Sequence, residues 1–265
     1  MTTNILDRAA RPPDQTGVYG EDPVHIVDWF GTSESGGGLV ILLHGGFWRN
    51  RYDRRHLYPL AEALADAGIL VALPEYRRIG DPGGGWEGTF TDVQRIIDVV
   101  PPLARELFGD AAVTAGVTVA GHSAGGHLAV RSQAAGADPA SLPRTLVDRV
   151  VSLAGVLDVS AAHALGLSNN AVGEFLGQVD DVLPDAALRG ADPMRLPVPV
   201  VQGVEVLLIH GAVDQDVPAA FSRSYAERDE RIVYTEPAHA DHYDLIDPLS
   251  STWPTVLGAL SWPVR

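Results

Sequence analysis

Residues 38–43 (GLVILL) form an unbroken apolar run, bounded by glycine on one side and by His44-Gly45-Gly46 on the other. A run this short and this uniformly apolar suits a strand buried on both faces, as in parallel sheets covered by helices. The pattern recurs at residues 69–74, 117–120, 150–153 and 204–209, while 24–30 reads as an early strand and 231–235 as the last. Between them lie helical stretches at 57–67, stopped by Gly68, and from Gly125 to about residue 135. Strands alternating with helices predict βαβ units around a mostly parallel sheet, an α/β fold. The glycine-rich residues 77–88 predict a loop, followed by a helix from about Thr91 that Pro101 and Pro102 should kink or split. Residues 158–203 show no strand, and an insertion of that length predicts a cap over a site. The 265 residues suit one domain, 1–265.

The chain has no cysteine, which removes disulfides, thiolate catalysis and cysteine-bound zinc together. Its formal net charge of −15 repels phosphate backbones, so no nucleic-acid partner is expected. No apolar run approaches the roughly 18 residues of a membrane span. The polar N-terminal stretch lacks the apolar core of a signal peptide, so the expectation is a cytoplasmic protein without a membrane partner. A homodimer is compatible with all of this.

Gly121-His122-Ser123-Ala124-Gly125 is a G-x-S-x-G pattern. Alone it is weak, because a chain with 28 glycines matches it by chance in roughly one case in six. Here an apolar strand precedes it and a helical stretch follows, the context in which a sharp turn lifts a serine above a sheet and sets it at a helix N-terminus. Ser123 is therefore the candidate nucleophile. His44-Gly45-Gly46-Phe47-Trp48 follows a buried strand, and its glycine pair lets backbone N–H groups turn toward the serine. Gly46, Phe47 and Ala124 are the expected oxyanion-hole donors. The acid belongs after the 204–209 strand: Asp214 is preferred, with Asp216 competing as a cap of the next helix. The base belongs after the last strand: His242 is preferred, with His239 competing. His44, His122 and His127 flank the motifs and are expected to hold loop geometry. His25, His56, His163 and His210 show no partner spacing, and no H-x-x-x-H or H-E-x-x-H pair points to a metal.

His44-Gly45-Gly46-Phe47-Trp48 resembles the H-G-G-x-W motif of kynurenine formamidases (arylformamidases) and their esterase relatives, and the H-G-G-G of hormone-sensitive-lipase-like esterases. The segment from Gly121 to Ala129, the acid loop from His210 to Pro218, Glu75-Tyr76-Arg77 and Asp241-His242-Tyr243 are similar to the corresponding segments of that group. The resemblance implies the α/β-hydrolase fold and a serine hydrolase acting on a small ester or aryl formamide, with no cofactor or metal. It supports Asp214 and His242. Trp48 and Trp86 are expected, with Phe47, to form an aromatic wall for the substrate, although core packing competes, most of all for Trp86. Two alternatives remain open. One is a peptidase related to prolyl oligopeptidase catalytic domains, whose large additional domain has no room here. The other is a non-catalytic binding protein on a hydrolase scaffold, a reading opposed by three filled triad positions.

Overall fold

A computed structural model of the chain describes residues 5–134, 146–180, 182–198 and 204–262. Its strands are β1 (Gln15–Val18), β2 (Ile26–Phe30), β3 (Leu39–Leu43), β4 (Leu70–Pro74), β5 (Val117–His122), β6 (Arg149–Leu153), β7 (Glu205–Ile209) and β8 (Ile232–Thr235). They form an eight-stranded sheet in the order β1-β2-β4-β3-β5-β6-β7-β8. β1–β2 and β2–β4 are antiparallel, and every other pair is parallel. The α/β layering and mostly parallel sheet anticipated from the sequence are thus observed.

The helices are α1 (Tyr58–Asp66), α2 (Trp86–Phe108), α3 (Ala111–Thr114), α4 (Ala124–Gln133), α5 (Val159–Ala164), α6 (Leu167–Leu176), α7 (Asp185–Ala191), α8 (Ala220–Ala226) and α9 (Trp253–Leu260). Alternation along β3 explains why its run is apolar throughout. Leu39, Ile41 and Leu43 enter one core with Val93, Ile97 and Leu128 of α2 and α4. Val40 and Leu42 enter a second core with Leu60 and Leu64 of α1 and Leu260 of α9. A strand covered on both faces has no wet side on which polar residues would be favoured.

Three sequence expectations need correction. β1 was not anticipated: its residues are mostly exposed, and edge pairing to β2 rather than an apolar face makes it a strand. The helix expected from Thr91 begins at Trp86, directly after Gly85 at φ 94°, with Thr89 N–H already donating to Gly85 O at 2.8 Å. Nor do Pro101 and Pro102 split it. The buried stripe of Val93, Ile96, Ile97, Val100 and Ala104 carries the helix past the missing donors, since packing supplies most helical stability. No strand occurs in 158–203 among the described residues; residues 181 and 199–203 of the expected cap lie outside them. Nor, among the described residues, is any helix long and apolar enough to cross a membrane.

β3 and β5 are neighbours although β4 separates them in sequence, so the chain leaves β3 toward one side of the sheet and leaves β5 toward the other. A crevice opens at such a switch point beyond the carboxyl ends of the strands. Leu42 lies fully buried at the centre of this arrangement. Leu42→Ala is expected to destabilise the protein by about 2–5 kcal/mol, read from chemical denaturation.

Candidate active site

All the candidate residues leave the carboxyl ends of parallel strands. The loop from His44 follows β3, Ser123 follows β5, Asp214 follows β7 and His242 follows β8. Ser123 sits at φ 57° and ψ −119°, between the last residue of β5 and the first of α4. A non-glycine residue at positive φ is strained by about 1–2 kcal/mol, so its surroundings must hold it there. They do: Ser123 N–H donates to Leu153 O at 2.8 Å, and Ser123 O accepts from His127 N–H at 3.1 Å. The flanking glycines are required by close approach. A Cβ on Gly121 would lie 2.2 Å from Gly125 O, and one on Gly125 would lie 2.1 Å from Leu43 O.

His242 Nδ1 lies 2.7 Å from Asp214 Oδ2. The carboxylate only accepts, so His242 Nδ1 carries a proton and donates it to Asp214, leaving Nε2 directed away from the carboxylate. The Asp214 side chain is wholly buried, and both its oxygens are engaged. Oδ1 accepts from the N–H groups of Asp216 and Val217, both at 2.8 Å, while Oδ2 also lies 3.1 Å from His210 Nε2. Burial pushes the Asp214 carboxyl up, but the hydrogen bonds from His210 and His242 outweigh it and hold the group ionised, below the usual carboxylate range. His210 was read as lacking partner spacing, and the structure corrects this. Its Nδ1 meets Ser222 Oγ at 2.7 Å, and its Nε2 points at both Val217 O and Asp214. The four-residue interval from His210 to Asp214 was the available signal. Asp216 does not cap the next helix, whose N-cap is Ala219; its side chain lies at the rim of the cavity instead.

The loop after β3 carries Gly46, Phe47 and Trp48 at φ 108°, 48° and 58° in succession. Among the described residues, the N–H groups of Gly46, Phe47 and Ala124 have no hydrogen-bond acceptor. The loop is anchored from below by a buried charge cluster missed at the sequence level. His44 Nε2 lies 2.6 Å from Glu75 Oε1, and Tyr76 O–H donates to His44 O at 2.6 Å. Arg78 Nη1 approaches Glu75 at 3.1 Å, and Arg54 bridges Glu75 to Asp28. Burial raises the Glu75 carboxyl, but the His44 charge and hydrogen bond, with Arg78, outweigh it and bring it down to about 2.

Ser123, His242, Gly46 and Phe47 line one cavity of about 130 Å3, together with Tyr52, Tyr243, Ser168 and His122. Among the described residues the Ser123 hydroxyl makes no hydrogen bond; contacts of this kind commonly tighten only when substrate is bound. His122 braces His242 from behind. Burial pushes its imidazole well below the usual range, so it stays neutral, and its Nε2–H donates to His242 O at 2.9 Å. His239 makes no contact with Asp214; the carboxylate holds His242 instead.

The expected aromatic wall is corrected in part. Phe47 lines the cavity, but Trp48 and Trp86 do not. Trp48 is fully buried, stacked on Phe175 of α6 at 4.4 Å and donating from Nε1 to His127 Nδ1 at 3.3 Å. Trp86 stacks on Phe90 at 4.9 Å within the same core. Tyr52 and Tyr243 take the wall position instead. Among the described residues, no group of three or more histidines and carboxylates is placed to hold a metal.

The BD-FAE family model matches residues 28–228. LipC, an esterase of Mycobacterium tuberculosis, is 28% identical over 257 residues, covering 87% of this chain. The chain spans 60% of the length of LipC. Among solved structures, the butyrate-bound esterase Est2 of Thermogutta terrifontis has a TM-score of 0.65 at 19% identity, covering 93% of this chain and 90% of Est2. Esterase B of Lactobacillus rhamnosis, inhibited by a C4-C4 tributyrin phosphonate, has a TM-score of 0.67 at 18% identity, covering 95% of this chain and 84% of esterase B. The fold is that of the α/β-hydrolases.

The Glu75 cluster makes a prediction. A carboxyl whose pKa is depressed on folding stabilises the protein above its unfolded value, and that contribution is lost as pH falls through its folded value. For Glu75 the window runs from the ordinary 4.5 down to about 2. Glu75→Gln is expected to be less stable at neutral pH and to lose less further stability than the parent between those limits. Thermal melting across the range checks this, and parallel pH profiles for the two proteins contradict it.

Proposed function

The chain belongs to the BD-FAE family, and on that premise we propose that it is an esterase-type serine hydrolase acting on small carboxylic esters. The observation that carries the proposal is the buried Asp214 carboxylate 2.7 Å from His242, in a site where His242 and the strained Ser123 share one cavity. Buried charge and backbone strain both cost stability, and they persist where a function uses them.

In this reading Ser123 Oγ attacks the ester carbonyl carbon, and its proton passes to His242 Nε2. The carbonyl π pair moves onto oxygen, which the N–H groups of Gly46, Phe47 and Ala124 receive as a tetrahedral oxyanion. As that pair returns, the C–O bond to the alcohol breaks, and the alcohol leaves with the proton held by His242. Water then gives a proton to His242, attacks the acyl-enzyme and releases the carboxylic acid, restoring Ser123. Asp214 keeps the imidazole in the required tautomer and stabilises its cation, while His210 holds Asp214 ionised. The relative LipC is an esterase and Est2 was captured with butyrate, both consistent with a short acyl group in a cavity of about 130 Å3.

The narrower reading, an arylformamidase, draws on the H-G-G-x-W resemblance. Its distinguishing residue, Trp48, packs in the core rather than on the cavity. Esters are therefore favoured over aryl formamides. Ser123→Ala is expected to lower kcat for p-nitrophenyl acetate by about 10^4-fold or more with little change in melting temperature, and Asp214→Asn by about 10^4-fold with a lowered melting temperature, since its buried partners lose the charge they pair with. The parent is expected to hydrolyse acetyl and butyryl esters faster than formyl-kynurenine. Retained activity in Ser123→Ala sinks the mechanism, and preference for formyl-kynurenine reinstates the formamidase.

A further inference from the structure

The first turn of α6 is left-handed. Ser168, Asn169 and Asn170 sit at φ 50°, 54° and 58°, just after Gly166 at φ 61°. Asparagine tolerates this region better than other non-glycine residues, but serine has no such advantage. A run of three non-glycine residues there needs an external restraint. At Asn170 that restraint is a pair of side-chain hydrogen bonds, with His163 Nδ1 at 3.1 Å and Gln178 Oε1 at 3.0 Å; at Ser168 and Asn169 it is Arg49, three residues beyond Gly46 in the loop that carries the proposed oxyanion donors. Its Nη1 donates to Ser168 O at 2.8 Å and to Ser168 Oγ at 3.0 Å, and its Nη2 donates to Asn169 O at 3.3 Å. Glu174 fixes the guanidinium itself, accepting from Nε at 2.7 Å. The residue least suited to the conformation is thus the one that Arg49 holds twice.

The position of that turn matters because Ser168 lines the same cavity as Ser123 and Phe47. Trp48, beside Arg49, stacks on Phe175 farther along α6, so the body of that helix is held independently of the guanidinium. Loss of the Arg49 contacts therefore frees Ser168 and Asn169, while Asn170 and the body of the helix stay held. A planar fork serving three acceptors on two residues cannot be replaced by an ammonium point charge.

We infer that Arg49 is a specificity-determining positioning residue: it pins Ser168 and Asn169 at one wall of the cavity and so restricts the size of the ester accepted. The inference rests on the esterase reading of the site. Ser168 lines the cavity in a left-handed conformation that serine has no intrinsic tendency to adopt, so it relaxes outward when the fork is removed, and a longer acyl or alcohol group gains the space.

The test compares kcat/KM for p-nitrophenyl acetate, butyrate and octanoate in the parent, Arg49→Ala, Arg49→Lys and Glu174→Gln, with melting temperatures to confirm folding. The octanoate-to-acetate ratio is expected to rise by about fivefold or more in Arg49→Ala. It should rise less in Arg49→Lys and Glu174→Gln, with the change carried mainly by KM for octanoate. A merely structural role moves all three esters together and leaves the ratio fixed. If Arg49→Ala does not fold, Glu174→Gln carries the test. An unchanged ratio in folded variants of an active parent overturns the inference while leaving the esterase reading intact. A parent inert toward every ester, with Ser123→Ala no different, overturns the esterase reading and this inference with it.

Discussion

The left-handed backbone of Ser123 organises the rest of the site. A serine held at φ 57° between a strand and a helix relaxes unless its neighbours fix both its N–H and its carbonyl. Leu153 of β6 and His127 of α4 do so, and that requires β5 and β6 to be paired in register and α4 to lie tight against β5. The tightness in turn requires glycine at 121 and 125, where any Cβ collides with backbone. Even the sheet order is implicated, since Gly125 packs against the carbonyls of Leu43 and His44 at the end of β3. The switch between β3 and β5 thus brings the proposed oxyanion loop to Ser123.

Two buried carboxylates complete the arrangement, and they share a design. Asp214 sits between His210 and His242, while Glu75 sits among His44, Arg54 and Arg78 beneath the loop after β3. Each is desolvated, which favours protonation, and each is held ionised by directed donors that overcome desolvation. A buried charge of this kind adds little net stability, but it fixes direction. Asp214 aims an imidazole and Glu75 aims a loop. Breaking either leaves an uncompensated group behind, so both sites depend on keeping every partner.

Much of this was legible in the sequence because it rests on local patterns. Strands β3 to β6 are short runs buried on both faces, and such a strand leaves no other signature, while β7 and β8, partly exposed toward the sheet edge, still read as short apolar runs. Ser123, Asp214 and His242 follow their strands in the chain order that the fold requires, and the structure brings Asp214 against His242. What was missed depends on contacts between distant segments. β1 is made by pairing rather than by an apolar face. The partnership of His44 with Glu75 spans 31 residues and two strands. Trp48 sits in a motif that faces the site, yet its positive φ turns the ring into the core against Phe175, an orientation that no spacing rule encodes. His210 was the one near miss, four residues from Asp214 in the loop already singled out.

Covalent capture asks whether Ser123 is a nucleophile activated by His242 and Asp214. The intact protein is treated with a fluorophosphonate, and the modified peptide is located by mass spectrometry. A single phosphonyl group per chain is expected on Ser123 Oγ, absent from Ser123→Ala and formed much more slowly in His242→Ala. A parent that takes up no phosphonyl group, or takes it up at another residue, contradicts that role for Ser123.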